Sequence, residues 1–220
     1  MIKILSFSGV DGTGKSIQAS LLFRYLKRTN IKAKYLWLRW FAFMSYFLYM
    51  YARLLKRTVV VKYRGTSVKI HIWNRDPILS KLYPYTLVFD IILYFYFNVL
   101  LSKLKGVSLI LLDRSLIDAL IDIIWEIRSV IFLNSKILSK IIYDTIMKIF
   151  VIILITDTKE LVVRLCRKRE ITFGNEAEFK QRCYLIFARH LNYPIINTSK
   201  MPIQDTFKGV LKLLRSKGYF

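Results

Sequence analysis

Apolar runs and apolar-periodic segments alternate along this chain. Ile2-Lys3-Ile4-Leu5-Ser6-Phe7 is a short apolar run that predicts a buried strand. Ile17, Leu21, Leu22, Tyr25 and Leu26 then recur at helical spacing, with Gln18, Arg24 and Lys27 between them, and predict an amphipathic helix. Ile31 to Leu38, Gly106 to Leu112, Phe150 to Thr156 and Pro194 to Asn197 predict four more strands, with helical patterns in the intervals. Strand–helix alternation of this kind buries a sheet on both faces. The expected fold class is therefore α/β, a five-stranded parallel sheet with helices on both faces. Thr58 to Trp73 breaks the rhythm: VVVKY and VKIHI flank Arg64-Gly65-Thr66-Ser67, which predicts a β-hairpin inserted in the second crossover. Repeats, low-complexity tracts and linkers are missing, so residues 1–220 are expected to form one domain.

Between the first strand and the first helix lies Gly9-Val10-Asp11-Gly12-Thr13-Gly14-Lys15-Ser16. Gly, four residues, Gly-Lys, then Ser or Thr is the phosphate-binding loop pattern. Its glycines let successive backbone N–H groups turn inward around a polyphosphate, and the following helix N-terminus favours an anion. Lys15 is expected to reach the β- and γ-phosphates of ATP, and the Ser16 hydroxyl to sit on Mg²⁺.

A second signal is the apolar strand that ends in Asp113-Arg114. A carboxylate at the end of such a strand commonly orients Mg²⁺ through water beside a phosphate-binding loop. Arg114 then lies where ligands bind in open α/β sheets, and a guanidinium there can bridge donor and acceptor phosphates. The third signal is the basic cluster Arg164, Arg167, Lys168 and Arg169. It precedes Glu170 to Glu176, which reads as a flexible loop because of Gly174-Asn175. An arginine lid closing over transferring phosphates is one reading of that cluster; a solvated helix face is the other.

Composition changes the picture in one direction. The chain of 220 residues carries 36 Lys+Arg against 14 Asp+Glu, a formal charge of +22, which suits anionic partners: nucleotides, nucleic acid or an acidic membrane surface. Charge alone does not choose among them. Trp40 to Ala52 is apolar but too short to cross a bilayer, and Tyr85 to Ser102 is interrupted by Asp90 and Asn98. No transmembrane segment is therefore expected; core or interface helices are the simpler reading and peripheral membrane contact the alternative. Asp11 and Lys15 interrupt the early chain, against a signal peptide. Cys166 and Cys183 lack metal-ligand spacing and fit a reducing, cytoplasmic setting. An apolar helix such as Thr86 to Leu101 could pair with its copy in a homodimer.

With these residues in view, the chain resembles the thymidylate kinase family of P-loop nucleoside monophosphate kinases. FSGVDGTGKSIQASLL is similar to that family's phosphate loop, Asp113-Arg114 to its DR motif, ELVVRLCRKR to its lid approach and NTSK to its adenine-side loop. The resemblance implies transfer of the ATP γ-phosphate to dTMP, with Mg²⁺ as cofactor and nucleic acid not expected as a partner. It implies ATP contacts along Gly9, Val10, Asp11, Gly12, Thr13, Gly14, Lys15 and Ser16, with Ser199 and Lys200 bordering the adenine. It implies catalytic roles for Lys15, Arg114, Arg167 and Arg169, metal contacts for Ser16 and Asp113, and acceptor contacts for Asp11 and Arg114. The acceptor side departs from the family pattern. Leu38-Arg39-Trp40-Phe41-Ala42 stands where a Pro-containing motif is usual, Asp90-Ile91 where an acidic residue is followed by Arg, and Ser115 where an aromatic residue is common. Arg39 is the candidate replacement for gripping the monophosphate, with Arg75 a second. The departures leave two alternatives open: a kinase of the same fold for another acceptor, including a lipid-linked one, and a non-catalytic nucleotide-binding module.

Overall fold

The computed structural model describes residues 2–38, 43–63, 66–73, 76–168 and 174–220, and within these it leaves the side chains of 61–63, 66–70, 166–168 and 174 undescribed. The sheet is built from β1 (Lys3–Gly9), β2 (Ala33–Trp37), β5 (Leu109–Asp113), β6 (Phe150–Ile155) and β7 (Ile195–Asn197). All four pairings are parallel and the order is β2-β5-β1-β6-β7. β1 is thus central, with its next strand placed on one side and β6 on the other. The crevice at its carboxyl end is the topological switch point where open α/β sheets bind ligands.

Alternation along the central strands separates two cores. Leu5, Phe7, Leu109, Leu111, Ile152 and Leu154 face α1 (Lys15–Arg28) and α8 (Ile203–Ser216). Ile4, Ile110, Leu112, Val151 and Ile153 face the other helical layer, which contains α3 (Pro77–Leu104), α4 (Leu116–Ile127) and α7 (Gly174–Leu191). Strands apolar on both sides read as continuous hydrophobic runs, which is why LILLD and FVIILI were legible as strands. The remaining helices are α2 (Met44–Leu54), α5 (Lys136–Ile146) and α6 (Thr158–Lys168).

The predicted hairpin is present as β3 (Thr58–Tyr63) and β4 (Thr66–His71), antiparallel with Thr58 opposite His71. Its base is anchored by rings: His71 and Trp73 both lie against Tyr49 of α2, and Trp73 stacks on Tyr83 of α3 with centroids 4.0 Å apart.

Two elements differ from expectation. α3 runs 28 residues, well beyond the predicted Thr86–Leu101. Asp76 caps its start by accepting from the N–H groups of Ile78 and Leu79, with Pro77 in the first turn. At that length α3 is, among the described residues, the one helix long and apolar enough to cross a membrane by length and composition. Its inner face carries Asp90, Asn98 and Ser102, all buried against protein. The second difference is at Gly174–Glu176, predicted as loop but forming the first turn of α7. Glu176 there pairs with Lys180 one turn on, at 2.7 Å.

Candidate active site

The phosphate loop closes β1 and opens α1. Gly9 has φ +145°, and a Cβ there would stand 2.2 Å from the Leu154 carbonyl oxygen, so only glycine lets the loop leave the sheet beside β6. Gly14 caps α1 in the left-handed region, at φ 94°, leaving the first N–H groups of the helix directed at the crevice. Lys15 is buried and folded into its own loop: Nζ donates to the carbonyls of Gly9 (2.6 Å) and Val10 (2.9 Å) and to Asp11 Oδ1 (3.3 Å). Burial lowers its pKa from 10.5, against the opposing pull of Asp11. Asp11 also pairs with Arg114 Nη2, so one carboxylate joins two cations at the mouth of a cavity of about 100 Å³. Asp11, Gly12, Gly14, Lys15, Ser16, Ile17 and Arg114 line that cavity.

Arg114 is held in an unusual conformation. Its φ is +82°, in the left-handed region that non-glycine residues rarely adopt, at a cost of order 1–3 kcal/mol. Its burial, which alone would depress the pKa, is outweighed by Asp11, Asp118 and Asp122, so the guanidinium stays fully charged. Behind it lies a group that sequence reasoning missed. Asp118 is buried and accepts from Ser8 Oγ (2.6 Å), the Ser115 N–H (2.7 Å), Ser115 Oγ (3.2 Å) and Tyr184 Oη (2.8 Å). Ser115 and Asp118 form the capping box of α4. Ser115, which departs from the family pattern, thus serves as the cap that starts α4 directly after Arg114. The S-x-x-D spacing at Ser115 and Asp118 was a readable signal for it. Tyr184 brings α7 into the same network and carries no comparable signal.

Asp113 is almost fully buried. Its Oδ2 accepts from Tyr35 Oη at 2.6 Å, and its Oδ1 has no hydrogen-bond partner among the described residues. Burial and the Asp113 carboxylate both push the Tyr35 pKa up, so the phenol remains a donor. Tyr35 lies on β2, and nothing in the sequence singled it out. Among the described residues no three His, Cys, Asp or Glu side chains are arranged to hold a bare metal ion. An orphaned carboxylate oxygen and the exposed Ser16 hydroxyl nonetheless suit Mg²⁺ that arrives with most of its ligands from phosphate and water.

A second cavity, about 290 Å³, adjoins the loop and is lined by Gly12, Thr13, Ile17, Gln18, Arg164, Thr198, Met201 and Ile203, among others. Arg164 of α6 is fixed rather than solvated. It donates to Thr198 Oγ1 (3.1 Å), the Thr198 carbonyl (2.8 Å) and Glu160 (2.5 Å). Ser199 and Lys200 stand between lining residues. Ser199 Oγ accepts from the Asp157 N–H at 2.6 Å, and the Lys200 N–H donates to Glu160 at 3.0 Å. Arg167 lies in α6 with its side chain undescribed, and Arg169 lies outside the described residues, so the lid reading is not placed.

On the acceptor side, Arg39 and Arg75 also lie outside the described residues. Asp90 is fully buried. It accepts from the N–H groups of Phe43, Met44 and Ser45, each at 2.9 Å, and from Ser45 Oγ at 2.7 Å. Phe43 cannot cap α2 itself, so α3 supplies the carboxylate. Tyr83 is stacked by Trp73 and donates to Glu126 at 2.6 Å.

No protein-family model matches the chain, and no curated protein sequence does. Solved structures match over nearly the whole length. A thymidylate kinase from Ehrlichia chaffeensis is 14% identical with a TM-score of 0.53, covering 97% of this chain and 98% of its own. A thymidylate kinase from Candida albicans is 12% identical with a TM-score of 0.59, covering 99% of this chain and 92% of its own. The fold of this chain is therefore the fold of the thymidylate kinases.

Proposed function

We propose that the protein transfers the γ-phosphate of Mg-ATP to a nucleoside monophosphate, with dTMP as the first acceptor to test. The observation that carries this reading is the Lys15–Asp11–Arg114 ion network lining a cavity at a helix N-terminus. A module that only bound nucleotide would have no use for a strained, half-buried arginine beside the phosphate loop. Fold likeness to two thymidylate kinases supports dTMP as the acceptor.

In this reading the triphosphate takes the place of Lys15's own loop carbonyls, and the α1 N-terminus and loop N–H groups hold its β- and γ-phosphates. Mg²⁺ would be held by Ser16 and, through water, by Asp113, and would neutralise phosphate charge. The adenine would occupy the cavity beside Arg164 and Thr198, with Ser199 and Lys200 at its border. An oxygen of the acceptor monophosphate then bonds to the γ-phosphorus. The bond from γ-phosphorus to the β–γ bridging oxygen breaks, and ADP leaves with that electron pair. Arg114 would stabilise charge on the transferring group, and Asp11 would hold Arg114 until the acceptor arrives. Arg167 and Arg169 would add charge from the lid, and Arg39 would grip the acceptor phosphate.

One observation favours a different acceptor on the same donor site. Asp90 is spent on α2 and Tyr83 is covered by Trp73, so neither offers a free surface to a base. Coupled ADP release with dTMP, UMP, CMP, AMP and a polyprenyl phosphate separates the two. Release that needs dTMP supports the first reading, and release with another acceptor alone keeps the kinase and replaces dTMP. Release independent of every acceptor would discard phosphoryl transfer to a monophosphate.

A further inference from the structure

The edge of the sheet opposite the crevice is strongly cationic. All five strands run parallel, so their amino ends share one edge. α1, α3, α5 and α7 each lead into a strand within five residues and so end at that edge. α8 ends there too: Lys3 Nζ, at the start of β1, donates to the Gly218 carbonyl, and the Tyr219 ring lies 5.3 Å from that of Phe150. Lys3 and the segments 27–34, 103–108, 147–149, 189–194 and 212–218 together hold 12 Lys and Arg and no Asp or Glu. In the last two turns of the five helices the one carboxylate is Asp144.

Two ordinary explanations for these cations fall short. Lysines near helix C-termini offset the macrodipole, but five helix ends carry only about −2.5 charges in all. Ion pairing is the other, and the ion pairs of the described residues lie elsewhere, at Lys15, Arg114, Arg164, Lys180, Arg182 and Lys208. On this edge aromatic rings hold several cations instead: Lys3 lies over Tyr219 at 5.3 Å, Lys27 over Phe23 at 4.8 Å and Lys148 over Tyr96 at 4.7 Å. A ring holds an ammonium group without cancelling its charge. Lys32, Lys34 and Lys105 are crowded together. Burial, and then the neighbouring Lys105 charge, lower the Lys34 pKa, and Lys32 Nζ is 3.7 Å from where a Cβ on Gly106 would stand. Like charges so placed repel, and an anionic partner would remove that cost.

The surface between the cations says which anion. Thr29, Asn30, Ser108 and Asn192 are exposed there. The exposed large apolar side chains along this edge are Leu104, Met147 and Ile195, on three different segments, without the stripe that a bilayer-bound helix needs. A second copy would bring the same cations face to face, because a two-fold interface is self-complementary by symmetry. Nucleic-acid-binding surfaces are polar and strongly positive. Five strands at about 4.8 Å spacing span about 19 Å, a length over which duplex DNA carries about 11 phosphate charges.

We propose that the amino-terminal edge of the sheet binds the phosphate backbone of a nucleic acid, without reading its sequence. This partner lies outside what the thymidylate kinase resemblance implies. The inference does not depend on the proposed reaction, since the edge lies at the opposite end of the strands from the phosphate loop.

Fluorescence anisotropy of the full-length protein with a labelled, mixed-sequence DNA duplex of about 20 base pairs tests it. The wild type is expected to bind, with affinity falling roughly a hundredfold between about 50 and about 200 mM salt as counterions are released. Lys32→Gln/Lys105→Gln should weaken binding by roughly tenfold and flatten the slope of log K against log salt by about 0.9 per lost contact. Lys27→Gln/Lys217→Gln, on the other helical layer, should act alike. The control Lys56→Gln/Lys81→Gln removes as much charge, with Lys81 about 33 Å along α3 from Lys103, and should change affinity by less than about twofold. Melting temperature and binding of a fluorescent ATP analogue, unchanged in all three variants, show that each is folded and keep the edge apart from the phosphate loop. Lack of duplex binding by the wild type overturns the proposal, as does binding that survives both edge variants or falls equally in the control. It is equally overturned if excess ATP displaces the duplex, which would put nucleic acid in the crevice, or if phosphatidylglycerol vesicles are retained and the duplex is not.

Discussion

On the phosphate-loop side of the crevice, charged groups are gathered: Lys15, Asp11 and Arg114 share one cavity, and Tyr35 and Asp118 bond Asp113 and Ser115, the chain neighbours of Arg114. On the side formed by α2 and α3, the polar groups are turned inward. Asp90 caps a helix, Asn98 accepts from Lys34 at 2.9 Å, and Tyr83 lies under Trp73, while the outward surface is left apolar. The first region stores strain at Arg114 and leaves one oxygen of Asp113 unpartnered among the described residues; in the second, Asp90, Asn98 and Tyr83 each find partners within the protein. Strained and unsatisfied groups persist where chemistry uses them, whereas saturated ones hold the fold. The difference teaches that the phosphate-loop side keeps charged groups at an open crevice, while the α2–α3 side has given its polar residues to architecture.

The largest expected effect tests the donor half. Lys15→Met should reduce phosphoryl transfer by roughly a thousandfold or more while the melting temperature stays within a few degrees of wild type. A variant turning over at near wild-type rate would break the comparison at its stronger end. Next, Arg114→Ala should lower kcat by about a hundredfold, equivalent to about 3 kcal/mol, with a smaller change in the Michaelis constant for ATP. Asp113→Asn should raise the Mg²⁺ concentration needed for half-maximal rate, measured by titrating the metal at fixed ATP.

Asp90→Asn sharpens the contrast from the other side. It leaves the N–H groups of α2 facing a neutral amide, and the expected cost is about 1–3 kcal/mol of stability, read by urea unfolding. Acceptor kcat/KM should change far less than stability does. A collapse of acceptor affinity with unchanged unfolding would instead make Asp90 an acceptor ligand. Tyr184→Phe removes one donor from the buried Asp118 and should cost about 1 kcal/mol, together with a modest loss of kcat as Arg114 loosens.

The smallest effect is a pH dependence. Burial lowers the Lys15 pKa below 10.5, so between the lowered value and 10.5 the unfolded chain binds more protons at this group than the folded one. Its contribution to stability therefore rises as pH increases through that window, while affinity for triphosphate falls because the cation is lost. Titrating ATP-analogue binding and unfolding across the alkaline range should show the opposite slopes in wild type, and neither slope from this group in Lys15→Met.

The phosphate-loop half was legible because its signals are local. Phosphate loop and strand end each lie within a few consecutive residues, where spacing fixes geometry. The parallel sheet was equally legible, since strands buried on both faces read as unbroken apolar runs. Tyr35, Asp118 and Tyr184 were missed because they meet the site across 78, 3 and 66 residues of sequence, and only the shortest of these spacings had a local signature. Arg164 appeared as one of several helix charges; only the packing of α6 against the loop after β7 shows that it is pinned beside the larger cavity next to the phosphate loop. Asp90 was notable in the sequence as a carboxylate in an apolar helix, but its role was not legible: its partners are the backbone N–H groups that open α2, which leave no sequence trace.

The fate of the γ-phosphate is the most direct test. With γ-labelled ATP, Mg²⁺ and the acceptor panel, the label should move to one monophosphate, giving the diphosphate and ADP in equal amounts, and Lys15→Met should abolish the transfer. Label that stays on ATP, or appears only as inorganic phosphate whatever the acceptor, would contradict the assignment of this crevice to phosphoryl transfer.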